Sequence, residues 1–326
     1  MALPGDCVKV SIIIPFKKDN PYIRECLAHC LALEYPDFEI LLLPDESFMM
    51  TDPRVRVIPT GAVGPAEKRD LAIGSATGEI LAFIDDDAYP RPDWLANAVS
   101  LFSDHVAAVC GPAVTPPSDG VLQKASGAVF ASLLGGGNMT YRYIPGTARE
   151  VDDYPSCNFL IKKDVMQSLG GFDTQYWPGE DTKLCLDLTK KLGKKILYSP
   201  DVFVYHHRRN LFGQHLKQIG RYAVHRGFFV RKFPETSLRL SYFIPTLFTL
   251  GLLLGWLTFF INGILFRIYL AAVGLYLAGT VLTAAAAAVQ DKDLRQFLPV
   301  FGGIIATHVL YGILFIKGLL IRRLEQ

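Results

Sequence analysis

The sequence predicts an α/β fold built on a mostly parallel central sheet and followed by C-terminal transmembrane helices. Three observations predict it. Unbroken aliphatic runs alternate with stretches of helical spacing over the first 200 residues. One of those runs ends directly in three consecutive aspartates. Charge then almost disappears: of the 64 charged side chains in the 326 residues, only nine fall within 240–326. The near balance of 33 Lys+Arg against 31 Asp+Glu, a net charge of +2, argues against a dedicated nucleic-acid binder, which carries a strongly basic domain. A hydrophobic content of 50% excludes intrinsic disorder.

The elements follow in order. Val8–Pro15 (VKVSIIIP) is a continuous β-branched run, the pattern of a strand buried on both faces of a parallel sheet. Pro21–Glu34 has helical spacing, with Ile23, Leu27, Cys30 and Leu31 on one side. Phe38–Leu43 and Val55–Ile58 are the next strands. Gly64–Ala76 is a helix entered through Gly64-Pro65, where proline suits the first turn. Ile80–Ile84 is a fourth strand that runs into Asp85-Asp86-Asp87. Strands alternating with helices imply a parallel sheet with right-handed crossovers, and ligands bind such sheets outside the carboxyl ends of the strands. Asp45 and the aspartate triplet both stand at such ends. Further on, Ser156–Ile161 is an apolar strand containing one amide, Asn158. Thr182–Leu192 is a helix, and Ser199–Val204 is another apolar strand.

Three adjacent carboxylates repel one another and call for a cation or for water. Alternate residues of an extended segment point the same way, so Asp85 and Asp87 can share a site while Asp86 turns aside. Oxygen ligands with room for water and phosphate suit Mg²⁺ or Mn²⁺; a solvated acidic turn is the other reading. Six cysteines occur, without CxxC or zinc-type spacing. Cys26 and Cys30, one helical turn apart, read as a buried helix face, and free thiols are expected.

In this order and spacing, VSIIIPFKKDN (10–20), EILLLPDES (39–47), GPAEKRDLAIGSATGEILAFIDDDAYP (64–90) and GGFDTQYWPGEDTKLCLDL (170–188) resemble family 2 glycosyltransferases of the GT-A type. The resemblance covers about residues 8–232. GGGNMTYR (135–142) and YHHRR (205–209), followed by apolar segments, resemble the membrane-anchored succinoglycan-biosynthesis (ExoA-like) branch. It implies a nucleotide site made by Pro15, Asp45 (on the base, uracil), Lys68, Arg69, Asp85 (on the ribose) and Asp86. It also implies a metal held by Asp87, with His206 reaching the metal or the diphosphate and His207 second in line. Taken alone, Lys68 and Arg69 also fit a solvated helix face, and YHHRR an exposed polar turn.

For the acceptor half, the resemblance places Asn158 and Trp177 beside the acceptor and donor sugar. It makes Asp181, with Glu180, the catalytic pair: Asp181 takes the proton from an acceptor hydroxyl. Carboxylates at a helix start also serve as caps, Asn158 also reads as an ordinary buried amide, and Trp177 as a core aromatic. A phosphate acceptor is already an anion and needs no base, so Glu180-Asp181 tilts the reading toward a hydroxyl acceptor. The QxxRW motif of processive synthases is absent from the sequence. The Gly135-Gly136-Gly137 run lacks a phosphate-loop context and reads as a flexible loop on the acceptor side.

The expected organisation is a catalytic domain over 1–207, a basic amphipathic interface region over 208–239, and a membrane domain over 240–326. The last contains apolar segments 240–266, 268–290 and 296–316, each long enough to span a hydrocarbon core of about 30 Å. Arg267 and Asp291–Arg295 mark the two turns. Met1–Lys9 is too short and polar for a signal peptide. Residues 208–239 hold eight basic side chains and one acid, which assigns them to the cytoplasmic side. Three full spans would then put Arg322 and Arg323 outside; either the charge rule fails or one segment is re-entrant. The function this implies is an inverting, metal-dependent transfer of sugar from a UDP-sugar to a lipid-linked glycan at the cytoplasmic face of the inner membrane. The alternatives are a polyprenyl-phosphate glycosyltransferase and a catalytically silent nucleotide-sugar-binding scaffold.

Overall fold

The computed structural model describes residues 8–324; Cys7 lies outside them. Two compact units emerge. The first comprises residues 8–114 and 144–206 and carries eleven described strands: β1 Val10–Pro15, β2 Phe38–Leu43, β3 Val55–Val57, β4 Ile80–Ile84, β5 Ala88–Pro90, β6 Val106–Cys110, β7 Ala113–Val114, β8 Arg149–Val151, β9 Asn158–Lys162, β10 Lys195–Tyr198 and β11 Val204–His206. Eight form one sheet in the order β3-β2-β1-β4-β9-β6-β10-β8, and β5-β11-β7 form a small second sheet. β1, β2 and β4 are buried along their whole length, as aliphatic runs covered on both faces must be. Helix Pro21–Leu31 starts on Asn20, whose side-chain oxygen accepts from the amides of Tyr22 and Ile23 at 2.9 and 3.1 Å. Cys26 and Cys30 face the core as free thiols.

The β3-β2-β1-β4 half is parallel. β9 is antiparallel to both of its neighbours, β4 and β6, which the alternation of strands and helices did not foretell. The predicted strand Ser199–Val204 is also corrected. β10 ends at Tyr198, a turn follows, and the chain re-enters a sheet only at Val204. That register matters for the site, because β11 pairs antiparallel with β5 and sets His206 opposite Ala88, next to Asp87 in the chain.

The second unit comprises residues 115–143 and 207–324, so the segment 115–143, assigned above to the catalytic domain, packs with the C-terminal helices. Three helical segments are long and apolar enough to cross a membrane: Leu240–Phe260, Gly263–Gln290 and Leu294–Leu320. The first turn between them is placed differently from expectation. Asn262 caps helix Gly263–Gln290 with its side-chain oxygen, and Arg267 lies inside that helix. The Gly135–Gly137 stretch is not a loop. Leu133–Gly136 is a helical turn running into a 3₁₀ turn, Gly137–Arg142. A methyl group on Gly135 or Gly136 would stand 2.1 Å from the carbonyl oxygen of Val129 or Phe130, so these glycines permit close packing.

Candidate active site

β4 delivers the aspartates and β11 delivers the histidine. Asp85, Asp87 and His206 each offer one ligand atom, and these atoms lie within 4.8 Å of one another. The His206 Nε2 atom is 3.0 Å from Asp87 Oδ1. Burial alone would lower the imidazolium's pKa, but the Asp87 carboxylate, with a contribution from Cys157, raises it to about 10. Two carboxylates and an imidazole form a donor set suited to Mn²⁺ or Mg²⁺, and the convergence of three such atoms fits a divalent cation. Asp86 does not join them, as alternation requires. Its carboxylate accepts from Asn20 Nδ2 at 3.3 Å, and burial, then the charge of Asp87, raises its pKa to about 6. It stands beside Asn20, the cap of helix Pro21–Leu31.

Lys68 and Arg69 do not form a solvated helix face. Both lie on helix Pro65–Ser75 with side chains only 3% and 4% exposed. Lys68 Nζ donates to the carbonyls of Phe16 (2.7 Å) and Leu43 (3.0 Å) and to Asp45 Oδ1 (2.5 Å). All three of its protons are engaged, and they fix Asp45 just beyond β2. Pro15 closes β1 beside it, in register with Leu43. Arg69 Nη2 reaches Asp85 Oδ1 at 2.6 Å, Arg69 Nη1 stands 3.7 Å from Glu180 Oε1, and the guanidinium lies 5.8 Å from the centre of the Phe172 ring. Both cations are thus held against the carboxylates of Asp45, Asp85 and Glu180.

Glu180 and Asp181 occupy the first turn of helix Glu180–Leu186, which starts two residues earlier than predicted and continues as a π turn, Asp187–Lys191. They differ in setting. Glu180 is 4% exposed, and burial, then the Asp181 charge, raises its pKa to about 8 against the pull of Arg69. Asp181 is half-buried and accepts from the Thr182 amide at 2.8 Å. Trp177 is half-buried in the turn after Thr174–Tyr176.

The raised Glu180 pKa has a sign. The group is charged more readily in the unfolded chain, so its contribution to stability is complete below the ordinary value near 4.5 and is lost as pH climbs through about 8. Glu180→Gln is expected to melt with a flatter pH dependence than the parent between pH 5 and 8, gaining relative stability toward the alkaline end. Thermal unfolding of the detergent-solubilised chain across that range reads it.

Asn158 has the surroundings of the ordinary buried amide, the second of its two readings. It is completely buried. Its Oδ1 accepts from Trp94 Nε1 at 2.9 Å, and its Nδ2 faces the carbonyls of Gly111, Pro112 and Val202 at 2.8, 3.2 and 2.7 Å. The side chain ties together the stretches that carry these groups. Asn158→Ala strands several buried polar groups, each costing about 1–3 kcal/mol. It is expected to lower the melting temperature sharply, whereas a sugar-contact role would leave stability unchanged and raise the KM.

Two contributors were not read from the sequence. Cys157 precedes Asn158, the partner of Ile84 in the β4–β9 register, so it stands beside Asp85 and next to His206; only a long-range pairing reveals it. Asp70 accepts from the Phe172 amide at 2.8 Å. A methyl on Gly171, where φ is +87°, would lie 2.5 Å from the same carboxylate oxygen. The Gly170-Gly171 turn was the available signal: its shape is what brings Phe172 to Arg69.

An α/β sheet with an acidic cluster at the carboxyl end of a central strand has the architecture of GT-A glycosyltransferases. Residues 11–170 match the family model for Glycosyl transferase family 2, so the chain carries a family 2 glycosyltransferase domain. The chain is 29% identical over 146 residues to the pre-mycofactocin glycosyltransferase of Mycobacterium tuberculosis, a match covering 45% of this chain and 30% of that protein; it thus spans less than a third of that relative. It is 25% identical over 287 residues to dolichyl N-acetyl-alpha-D-glucosaminyl phosphate 3-beta-D-2,3-diacetamido-2,3-dideoxy-beta-D-glucuronosyltransferase of Methanococcus voltae, covering 81% of this chain and 85% of the relative. The solved mannosyltransferase PcManGT from Pyrobaculum calidifontis, in complex with GDP-Man and Mn²⁺, shares the fold with a TM-score of 0.54 at 22% identity, over 98% of this chain and 89% of that one.

Proposed function

We propose that this chain is an inverting glycosyltransferase that moves a sugar from a nucleotide sugar, UDP-linked, to a hydroxyl of a lipid-linked glycan. We place the reaction at the cytoplasmic face of the inner membrane and the chain in the succinoglycan-type branch. The observation that carries the reading is the convergence of Asp85, Asp87 and His206 at the end of β4, with Asp181 in the first turn of a helix whose other acid, Glu180, faces the Arg69 that holds Asp85. A divalent cation bound at the cluster would offset the charge developing on a departing diphosphate.

The remaining chemistry belongs to the chain. Lys68 holds Asp45 ready for a base, and Arg69 holds Asp85. Asp181, the more exposed carboxylate of its pair, accepts the proton of the attacking hydroxyl. Glu180, kept neutral by burial, adds no second negative charge beside it at pH 7. One displacement at the anomeric carbon inverts its configuration. The printed name of the Methanococcus voltae relative, a transferase acting on a dolichyl-phosphate-linked sugar, supports a lipid-linked acceptor.

The test supplies membranes containing the chain with Mn²⁺, a panel of labelled UDP- and GDP-sugars, and lipid-linked glycan or bare polyprenyl phosphate. A glycan one sugar longer, formed with a UDP-sugar, supports the proposal. Product on bare polyprenyl phosphate alone overturns the hydroxyl assignment, and exclusive use of a GDP-sugar overturns the donor.

A further inference from the structure

We infer that the last apolar helix, Phe297–Leu320, lies along the membrane surface instead of crossing the bilayer, bound side by side to the basic helix Gly213–Lys232. The observation is the register between the two. Leu211 presses on Gly303, where a methyl would stand 2.7 Å from its Cδ2. His215 Nε2 is 3.0 Å from Thr307 Oγ1. A methyl on Gly220 would lie 2.9 Å from Leu314 Cδ1, and one on Gly227 would lie 2.3 Å from the Phe315 carbonyl oxygen. Finally, Arg231 donates to the Ile321 carbonyl. Sequence number rises together on both partners, so the helices run parallel and in contact from one end to the other.

The basic helix has 20 residues, about 30 Å, which is the thickness of a hydrocarbon core. If Phe297–Leu320 stood across the bilayer, its companion would stand across it too. Lys217 sits between the levels of the Thr307 and Leu314 contacts and Arg221 one residue beyond the second, both exposed and alongside the middle turns of the apolar helix. An exposed cation at mid-depth in hydrocarbon is strongly disfavoured. Laid in the interface, the same side chains reach water and anionic headgroups, the arrangement of basic amphipathic helices. A different face of Phe297–Leu320 meets Leu240–Leu254, through Thr246 Oγ1 to the Gly312 carbonyl at 3.2 Å and Thr249 Oγ1 to the His308 carbonyl at 3.1 Å. The apolar helix is thus packed between a basic helix and a more exposed apolar one, an order suited to a surface. The placement also leaves Arg322 and Arg323 on the same side as Arg208 and Arg209, in keeping with the positive-inside rule.

The test uses the full chain in sealed inside-out and right-side-out vesicles with a membrane-impermeant maleimide. The five described native cysteines are buried, and the parent chain gives the background. Gln214→Cys and Arg322→Cys mark the two ends of the helix pair, and Arg221→Cys its middle. All three are expected to react from the same face, at rates within about threefold of each other. Reaction of Gln214→Cys and Arg322→Cys from opposite faces, or an Arg221→Cys that reacts only after detergent is added, overturns the inference. Lys232→Cys replaces Arg322→Cys as the far marker if the latter fails to accumulate. The readout involves no catalysis, so its failure leaves the proposed function standing.

Discussion

Asp181→Asn is expected to lower nucleoside diphosphate release with a lipid-linked hydroxyl acceptor by about 10²–10⁴-fold, the range for loss of a positioned general base. The loss should fall on kcat with donor KM little changed, because Asp181 stands on helix Glu180–Leu186 and not among the Asp85, Asp87 and His206 ligand atoms. Asparagine keeps the size of the side chain and an oxygen for the Thr182 amide, now accepted at 2.8 Å, so the helix start survives. The same substitution tested with a phosphate acceptor should cost far less, since that nucleophile carries no proton to remove at neutral pH. Full activity of Asp181→Asn on the hydroxyl acceptor would show that the base lies elsewhere.

Asp87→Ala should be as severe through a different route. It removes one of three converging ligand atoms and the partner that holds His206 Nε2 at 3.0 Å. The expected outcome is weaker Mn²⁺ binding, read directly by the paramagnetic resonance of free Mn²⁺, together with a loss of turnover on the order of 10³-fold, in line with removal of electrostatic stabilisation at a leaving group. The His206 pKa should also fall from about 10 toward its ordinary value, because Asp87 is the chief group raising it; imidazole proton resonances follow that without any metal present. Unaltered Mn²⁺ binding in Asp87→Ala, or full turnover of the parent chain in excess EDTA, would remove Asp87 from a metal role.

Much of the fold was legible because aliphatic strands buried on both faces announce themselves. Phe38–Leu43 and Ile80–Ile84 were read to the residue, and the acidic end of β4 followed from their alternation with helices. What escaped depends on long-range pairing or on buried charge. Local sequence carries no mark of β9 slotting antiparallel between β4 and β6. Lys68 and Arg69 looked like a solvated helix face or phosphate ligands because cations are seldom fully buried. Their partners, the Phe16 and Leu43 carbonyls and the carboxylates of Asp45, Asp85 and Glu180, come from four separate stretches of chain. Asn158 carried two readings, a sugar-side amide from the resemblance and an ordinary buried amide from its apolar strand; its partners, Trp94 and three carbonyls from distant stretches, could not be read locally. His206 was legible as a candidate, but its meeting with Asp87 rests on the β11–β5 register, which no spacing in the sequence encodes.

The position of β9 bears on how the chain matures on the ribosome. β4 and β6 emerge early, yet the strand that joins them ends at Lys162, and the histidine that faces Asp87 arrives only at residue 206. Until β9 is made, β4 carries an open edge, the kind of surface on which nascent chains mispair. Translation that stalls between residues 110 and 158 should leave a protease-sensitive nascent chain. Release past 206, before the last hydrophobic helices have been made, should suffice for the first unit to close.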